Sequence, residues 1–225
     1  MSTLSIVIPC LNEAAAIQRL LACLQPARTW GAELIVVDGG SHDETVQLAE
    51  QLVDRVLITA AGRAHQMNAG AAASNGDVLW FLHADSVVEN SFPEVILSVM
   101  GAVDVSWGRF DVTLAGRSPL FRIIEFMMNW RSRLTGIVTG DQGIFIRRKL
   151  FEQAGGFPEI PLMEDIQFSA RLRKRCWPTA LHHRVVTSTR RWEQSGILRT
   201  ILLMWRLRLA FFFGADPEQL AQRYR

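Results

Sequence analysis

VLWFLHADS, Val78 to Ser86, is apolar for five residues and then turns abruptly to His83, Ala84, Asp85 and Ser86. Such a run reads as a strand buried on both faces. A strand that only filled a core would not need an imidazole and a carboxylate at its end. The same design recurs upstream. LSIVIP (4–9), ELIVVDG (33–39) and RVLITA (55–60) are rich in Val, Ile and Leu, and with DVLWFLHAD (77–85) they make four buried strands. Between them, EAAAIQRLLACL, DETVQLAEQL and RAHQMNAGAAAS have helical spacing and composition. Strand, helix and strand at this interval build a parallel sheet with right-handed crossovers. Doubly wound sheets of this kind take ligands at the carboxyl ends of their strands. Asn12–Glu13, Asp38 and Asp85 all fall there.

Further along, SWGRFDVTL (106–114), QGIFIRR (142–148) and TALHHRVVTS (179–188) read as strands. LFRIIEFMMNWRSRL (120–134) and EDIQFSARLRKR (164–175) read as helices. No linker, repeat or low-complexity tract divides the chain, so 1–225 reads as one α/β domain.

Hydrophobic residues at 49% and charged residues at 20% place the chain among globular proteins, slightly on the apolar side. A net charge of +2 is too small to argue for nucleic acid. Most basic residues lie after Arg109, which suggests an anionic ligand or surface met by the second half. Cys10, Cys23 and Cys176 are an odd number without metal spacing, and they read as reduced and cytosolic. The start, MSTLSIVIPCLNE, reads as neither signal peptide nor anchor. GILRTILLMWRLRLAFFFG (196–214) is about long enough to span a bilayer, but Arg199, Arg206 and Arg208 interrupt it. It reads as an amphipathic helix, packed on the protein or lying peripherally at the inner face of the cell membrane.

Taken singly, the polar strand ends have ordinary explanations. Asn12 and Glu13 suit a helix start, and Asp43 and Asp165 suit caps. In VVDGGSHDET, Gly39 and Gly40 allow a tight turn after Asp38, whose carboxylate suits a ribose or base. A Mg²⁺ or Mn²⁺ that holds a diphosphate needs only one or two protein carboxylates, and Asp85 at a strand tip is suited to that. GDQG (140–143) and MEDI (163–166) add two acid-bearing turns.

In this order the segments resemble glycosyltransferase family 2, the inverting nucleotide-sugar transferases with the Rossmann-like GT-A fold. The resemblance runs through IVIPCLNE, VVDGGSHDET, GRAHQMNAGAAASNGDVLWFLHAD, GDQGIFIRR, FEQAGGFPEIPLMEDIQFSARLRK and STRRW, about the first 190 residues. LHADS, GDQGIF, PLMEDIQFSARL and GADPEQLAQRYR look like the bacterial radical-SAM/selenodomain-associated glycosyltransferase 2 subgroup.

The resemblance implies a central, mostly parallel sheet flanked by helices. It divides the chain into a nucleotide-binding half (1–104), an acceptor and catalytic half (105–192) and a C-terminal amphipathic helix and tail (193–225). Pro9, Asn12 and Glu13 would border the nucleotide base, Asp38 and Gly39 the uracil or ribose, and Arg63 and Asn68 the rest of that pocket. The family's D-x-D metal motif reads His83-Ala84-Asp85, so only its second acid is present. Asp85 is then the ligand for Mn²⁺ or Mg²⁺, and His83 supports it or touches the sugar. Asp165 would be the general base with Glu164 beside it. Gly140, Asp141 and Gln142 would sit in the donor or acceptor pocket. STRRW resembles the Q-x-x-R-W motif of processive synthases, with Arg191 and Trp192 in register and Ser188 in place of glutamine. Arg190 or Arg191 would clamp the diphosphate.

The expected activity is transfer of a sugar from a UDP-linked donor to a small-molecule or lipid acceptor. A lipid-phosphate glycosyltransferase at a membrane surface and a non-catalytic nucleotide-sugar binder are the rivals. A nucleotidyltransferase would open with a Gly-rich loop and a lysine, and PCLNEAAA offers neither.

Overall fold

The computed structural model describes residues 2–29 and 31–224, and the side chain of Arg191 lies outside the described residues. Strands β1 (Leu4–Cys10), β2 (Glu33–Asp38), β3 (Arg55–Ile58) and β4 (Val78–Phe81) pair in parallel in the order β3-β2-β1-β4. Helices α1 (Ala14–Thr29), α2 (Thr45–Glu50) and α3 (Arg63–Ala73) lie between them in the chain. The strands are apolar on both faces because both faces are covered. Ile6 and Ile8 of β1, Val36 of β2 and Trp80 of β4 face one core, closed by α1 and by α4 (Phe92–Met100). Val7, Val37 and Phe81 face the other, closed by α3 and by α7 (Glu164–Leu172). A Cβ on Gly70 would stand 2.3 Å from Val7 Cγ1 and 2.9 Å from Val37 Cγ2, so α3 rests directly on β1 and β2.

The second half extends the same sheet. Strand β6 (Phe145–Arg147) pairs antiparallel with β4 and with β5 (Trp107–Leu114), and β7 (Thr179–Thr187) pairs parallel with β5. The seven strands run β3-β2-β1-β4-β6-β5-β7, with β6 alone reversed. This is the mostly parallel, helix-flanked α/β sheet expected. The strand expected over 142–148 is shorter, because Gly140–Gln142 forms a 3₁₀ turn and Gly143 turns the chain at φ +60°. Helix α6 (Arg148–Gln153) takes over directly. The helix expected over 196–214 is split from α8 (Arg190–Ser195) by Gly196 at φ +84°, leaving α9 (Ile197–Phe212) before α10 (Pro217–Tyr224).

Strand β6 pairs with β5 only at Trp107 and Gly108, so the far end of that β5 edge needs other partners. Helix α5 (Pro119–Thr135) supplies them. The Asn129 side chain accepts from the Val112 N–H at 2.9 Å and donates to the Val112 carbonyl at 3.0 Å. Glu125 accepts from the Leu114 N–H at 2.6 Å. Beneath this ladder Arg109, fully buried, donates to Asp111 and to the carbonyls of Phe110 and Asn129. Arg133 from α5 holds the same Asp111 carboxylate at 2.5 and 3.0 Å.

Removing one partner of such a network leaves a buried charge uncompensated, at a cost of about 3–5 kcal/mol. Asp111→Ala should therefore lower unfolding stability by roughly that amount in a urea titration, whereas Arg28→Ala at the half-exposed Asp54 pair should cost ~1 kcal/mol or less.

Candidate active site

The loops after β1 and β2 are laced together before any ligand is considered. Asp38 is buried, and it accepts hydrogen bonds from the Gly40 N–H (2.8 Å), the Ser41 N–H (2.7 Å) and the Ser41 hydroxyl (2.5 Å). The Asn12 side chain accepts from the His42 N–H at 2.9 Å, and its own N–H donates to the Ser41 hydroxyl at 2.8 Å. Asp43 accepts from the N–H groups of Ala14 and Thr45. The turn is thus fixed by its own side chains, and Glu13 is presented at its lip.

A cleft of about 1210 Å³ opens at this end of the sheet. Pro9, Glu13, Arg63, His83, Ala84 and Asp85 form one wall, and Arg190 and Trp192 from α8 close over it. Asp141 also faces it. The cleft is larger than the usual 300–1,000 Å³ small-molecule site. Burial raises the Glu13 carboxyl above its ordinary value and the nearby charge of Asp85 raises it further, against the opposing pull of Arg190 at 3.4 Å. The Asp85 charge felt at Glu13 puts two carboxylates close together in one wall, an arrangement that suits a divalent cation. No group of three or more His, Cys, Asp and Glu among the described residues could hold a metal by itself. A diphosphate-bound cation does not need one, so Asp85 with Glu13 fits that role.

A small recess of about 10 Å³ adjoins the cleft, sharing Arg63 and His83, and it is lined by Gly140, Glu164 and Asp165. Met163 stands at φ +69° immediately before the acid pair, in a left-handed conformation uncommon for its side-chain type. Asp165 accepts from the Gly140 N–H at 2.8 Å and from the Ile166 N–H at 2.7 Å. Two further lone-pair positions stay open on that carboxylate. Glu164 is buried and pairs with Arg63 at 3.5 Å. Burial and the neighbouring Asp165 charge push its carboxyl upward, only partly offset by Arg63. His83 Nδ1 lies 3.4 Å from Asp141, while its Nε2 is buried against Gly140 without a hydrogen-bond partner among the described residues. A Cβ on residue 140 would come within 2.6 Å of that nitrogen, which is why glycine stands there. Burial works to raise the Asp141 carboxyl, but the bond and charge of His83, then Arg63 and Arg208, outweigh it and hold it below the usual range.

Several expected site residues serve elsewhere. Asn68 is spent on Phe157, whose carbonyl and N–H it holds at 2.9 Å each. Gln142 is fully buried and donates to Ser132 at 3.0 Å. Gly39 donates its N–H to the Cys10 carbonyl at 2.9 Å, at the base of the Asp38 turn. Arg191 cannot be placed by its side chain, which lies outside the described residues. Two charged cleft residues were given no site role in the sequence, Arg131 on α5 and Arg208 on α9.

A family model for glycosyl transferase family 2 matches residues 5–155, which is more than half of the chain and includes β1 to β6. The chain belongs to glycosyl transferase family 2. An uncharacterized family relative from Mycobacterium tuberculosis is 30% identical over 192 residues, covering 80% of this chain and 72% of its own. YdaM of Bacillus subtilis, named a probable glycosyltransferase, is 26% identical over 93% of this chain and 54% of its own. Among solved structures, S. aureus TarS (1-349) superposes with a TM-score of 0.67 at 17% identity, over 83% of this chain and 60% of that one. The chain therefore spans little more than half the length of two of these proteins. Glucosyl-3-phosphoglycerate synthase from M. tuberculosis, solved with Mn²⁺, UDP-glucose and phosphoglyceric acid, gives a TM-score of 0.65 at 20% identity, over 81% and 70% of the two chains. These likenesses establish the GT-A fold of this family 2 chain.

Because its carboxyl is raised, Glu164 binds a proton more tightly in the fold than in the unfolded chain. Stability from this group is full below its ordinary value of 4.5 and is lost as pH rises above it. Glu164→Gln should therefore show a smaller fall in Tm than the parent between about pH 5 and 8 in a thermal melt series.

Proposed function

We propose that this chain is an inverting glycosyltransferase that moves a sugar from a UDP-linked donor to an acceptor hydroxyl or phosphate oxygen. The observation that carries this reading is the placement of Asp85 and Asp165 in adjoining pockets that share Arg63 and His83 as walls. The acceptor oxygen attacks the anomeric carbon from the face opposite the diphosphate, and the carbon–oxygen bond to the diphosphate breaks with its electron pair leaving on UDP. Configuration at that carbon inverts. Asp165 takes the acceptor proton through a lone pair its backbone bonds leave free. Pro9 and Glu13 border the base, and Arg63 and Arg190 attract the donor's phosphates from opposite sides of the cleft. Asp85, with Glu13 nearby, would hold Mn²⁺ or Mg²⁺, which when bound neutralises charge on the departing diphosphate. Structures of fold relatives crystallised with UDP and Mn²⁺ or Mg²⁺ support the donor and metal. The resemblance of LHADS, GDQGIF and PLMEDIQFSARL supports placing the chain in the radical-SAM/selenodomain-associated subgroup, acting as one domain over 1–225.

A second reading, transfer to a lipid phosphate at a membrane surface, is favoured by one specific feature. Leu198, Leu202, Trp205, Leu209 and Phe212 recur at steps of four and three along α9, so they form one stripe, and all are exposed. Ile123, Phe126, Met127, Trp130 and Leu134 make a similar exposed stripe on α5. No helix among the described residues is long and apolar enough to cross a membrane. A peripheral position on the inner face of the cell membrane accords with these stripes.

Asp165→Asn should reduce turnover of a UDP-sugar by roughly 10²–10⁴-fold while calorimetry shows UDP still bound. Unchanged turnover would remove the assigned base, and a parent that binds UDP without turnover would be the non-catalytic binder. Asp85→Ala should abolish the gain in UDP affinity brought by Mn²⁺.

A further inference from the structure

The cleft is larger than one donor needs, and it continues between α5 and α9, beyond the strand ends. Two arginines face each other's field there, Arg131 from α5 and Arg208 from α9. Nε and Nη2 of Arg131 and Nε of Arg208 are buried and have no hydrogen-bond partner among the described residues. The Arg131 guanidinium bonds through Nη1 to the Ile137 carbonyl, at a long 3.4 Å. Buried donors in native proteins are nearly always satisfied, and unpaired charges more so. Burial first, and the Arg208 charge second, push the Arg131 guanidinium down to about 10, only partly offset by Asp165. Two cations brought together with these N–H donors unsatisfied are a poor structural element and a good receptor for a doubly charged oxyanion.

Their neighbours say which ligand. Asp165 acts electrically on Arg131, and Asp141 on Arg208, so both arginines lie within reach of those two carboxylates rather than out at the rim. Arg63 at the start of α3 and Arg190 on α8 line the same cleft and are already given to the donor. Ile124, Met128 and Met204 supply apolar lining to the same cleft, and Gln194, Ser195 and Thr200 are among its polar residues.

We propose that Arg131 and Arg208 form an oxyanion-binding subsite for the acceptor, so that the acceptor carries a phosphate or phosphate-like group next to the oxygen that is glycosylated. This deepens the glycosyltransferase reading and rests on it for the word acceptor. The anion site itself is a separate physical claim. The phosphate group comes from a soluble phosphate ester or from a lipid headgroup, and both present the same chemistry to the two guanidinium forks.

The test is a thermal-shift and calorimetric titration of the full chain, saturated with UDP and Mn²⁺, with three probes: inorganic phosphate, glycerol 3-phosphate, and vesicles containing phosphatidic acid against vesicles of neutral lipid. At least one phosphate-bearing probe is expected to bind, and Arg131→Gln and Arg208→Gln are each expected to weaken it about tenfold or more, with UDP affinity changed less than twofold. Binding of glycerol 3-phosphate identifies a soluble source, and binding of the acidic vesicles alone identifies a headgroup. Either supports the subsite. Without any probe, Arg131→Gln should melt at the parent temperature or higher, because it removes a buried unpaired charge. A lower melting temperature would mark Arg131 as structural and overturn the proposal. So would failure of every phosphate probe, competition between phosphate and UDP, or loss of UDP affinity in the arginine variants, which would put the pair on the donor. If UDP does not bind the parent, the glycosyltransferase reading fails first. Phosphate binding to the unloaded chain, lost in Arg131→Gln, would then still support the anion site, and binding that persists in the variant would overturn it.

Discussion

The edge of β5 that β6 leaves unpaired is the constraint on which much of this molecule's architecture depends. Backbone donors and acceptors buried at such an edge need partners. Here Asn129 and Glu125 of α5 take the place of a neighbouring strand. The helix is therefore held at hydrogen-bond distance from the sheet, with one face turned to the strand and the next face turned to the cleft. Ile124, Met128 and Arg131 line that cleft because their helix is fixed by Glu125 and Asn129, one or two residues away. Had β6 continued along β5, α5 would have no such berth and the cleft would lose a wall.

Charge in the site is arranged as a balance rather than as isolated pairs. Glu164 is driven toward its neutral form by burial and by Asp165, while Asp141, close by, is held ionised by His83, Arg63 and Arg208. Two acids of similar chemistry are pushed in opposite directions by their surroundings. Arg63 ties the halves together, since it belongs to both the cleft and the recess and pairs with Glu164.

Much of this was legible in the sequence, and the reasons are physical. A strand buried on both faces must be apolar at every position, so VLWF and LSIVI announced themselves, and so did the polar residues where each run stopped. Pro9, Glu13, His83, Asp85 and Asp141 were found that way, and all line the cleft. Asp38 and Asn12 carried the same signal but are consumed by the turn they sit in: Asp38 accepts from the Ser41 N–H three residues on, and Asn12 from the His42 N–H thirty residues away, a bond that leaves no trace in a local pattern. Helix α4 was invisible, since FPEVILSVM mixes β-branched and apolar residues that suit a strand as well. Arg131 and Arg208 were unreadable for the opposite reason. An arginine in an amphipathic helix is ordinarily solvated, and only the folded arrangement shows that Nε and Nη2 of Arg131 and Nε of Arg208 are buried.

One last consequence concerns Cys10, whose thiol borders the cleft beneath the Pro9 wall. Its sulfur points to the Asp38 carboxylate at 3.6 Å and the Val37 carbonyl at 3.7 Å. Burial, reinforced by the Asp38 charge, holds it far above the usual thiol range. Thiolate, not thiol, is what reacts with electrophiles. The surroundings of Cys10 thus favour the thiol, and a covalent ligand aimed at this sulfur beneath Pro9 would meet a weakened nucleophile.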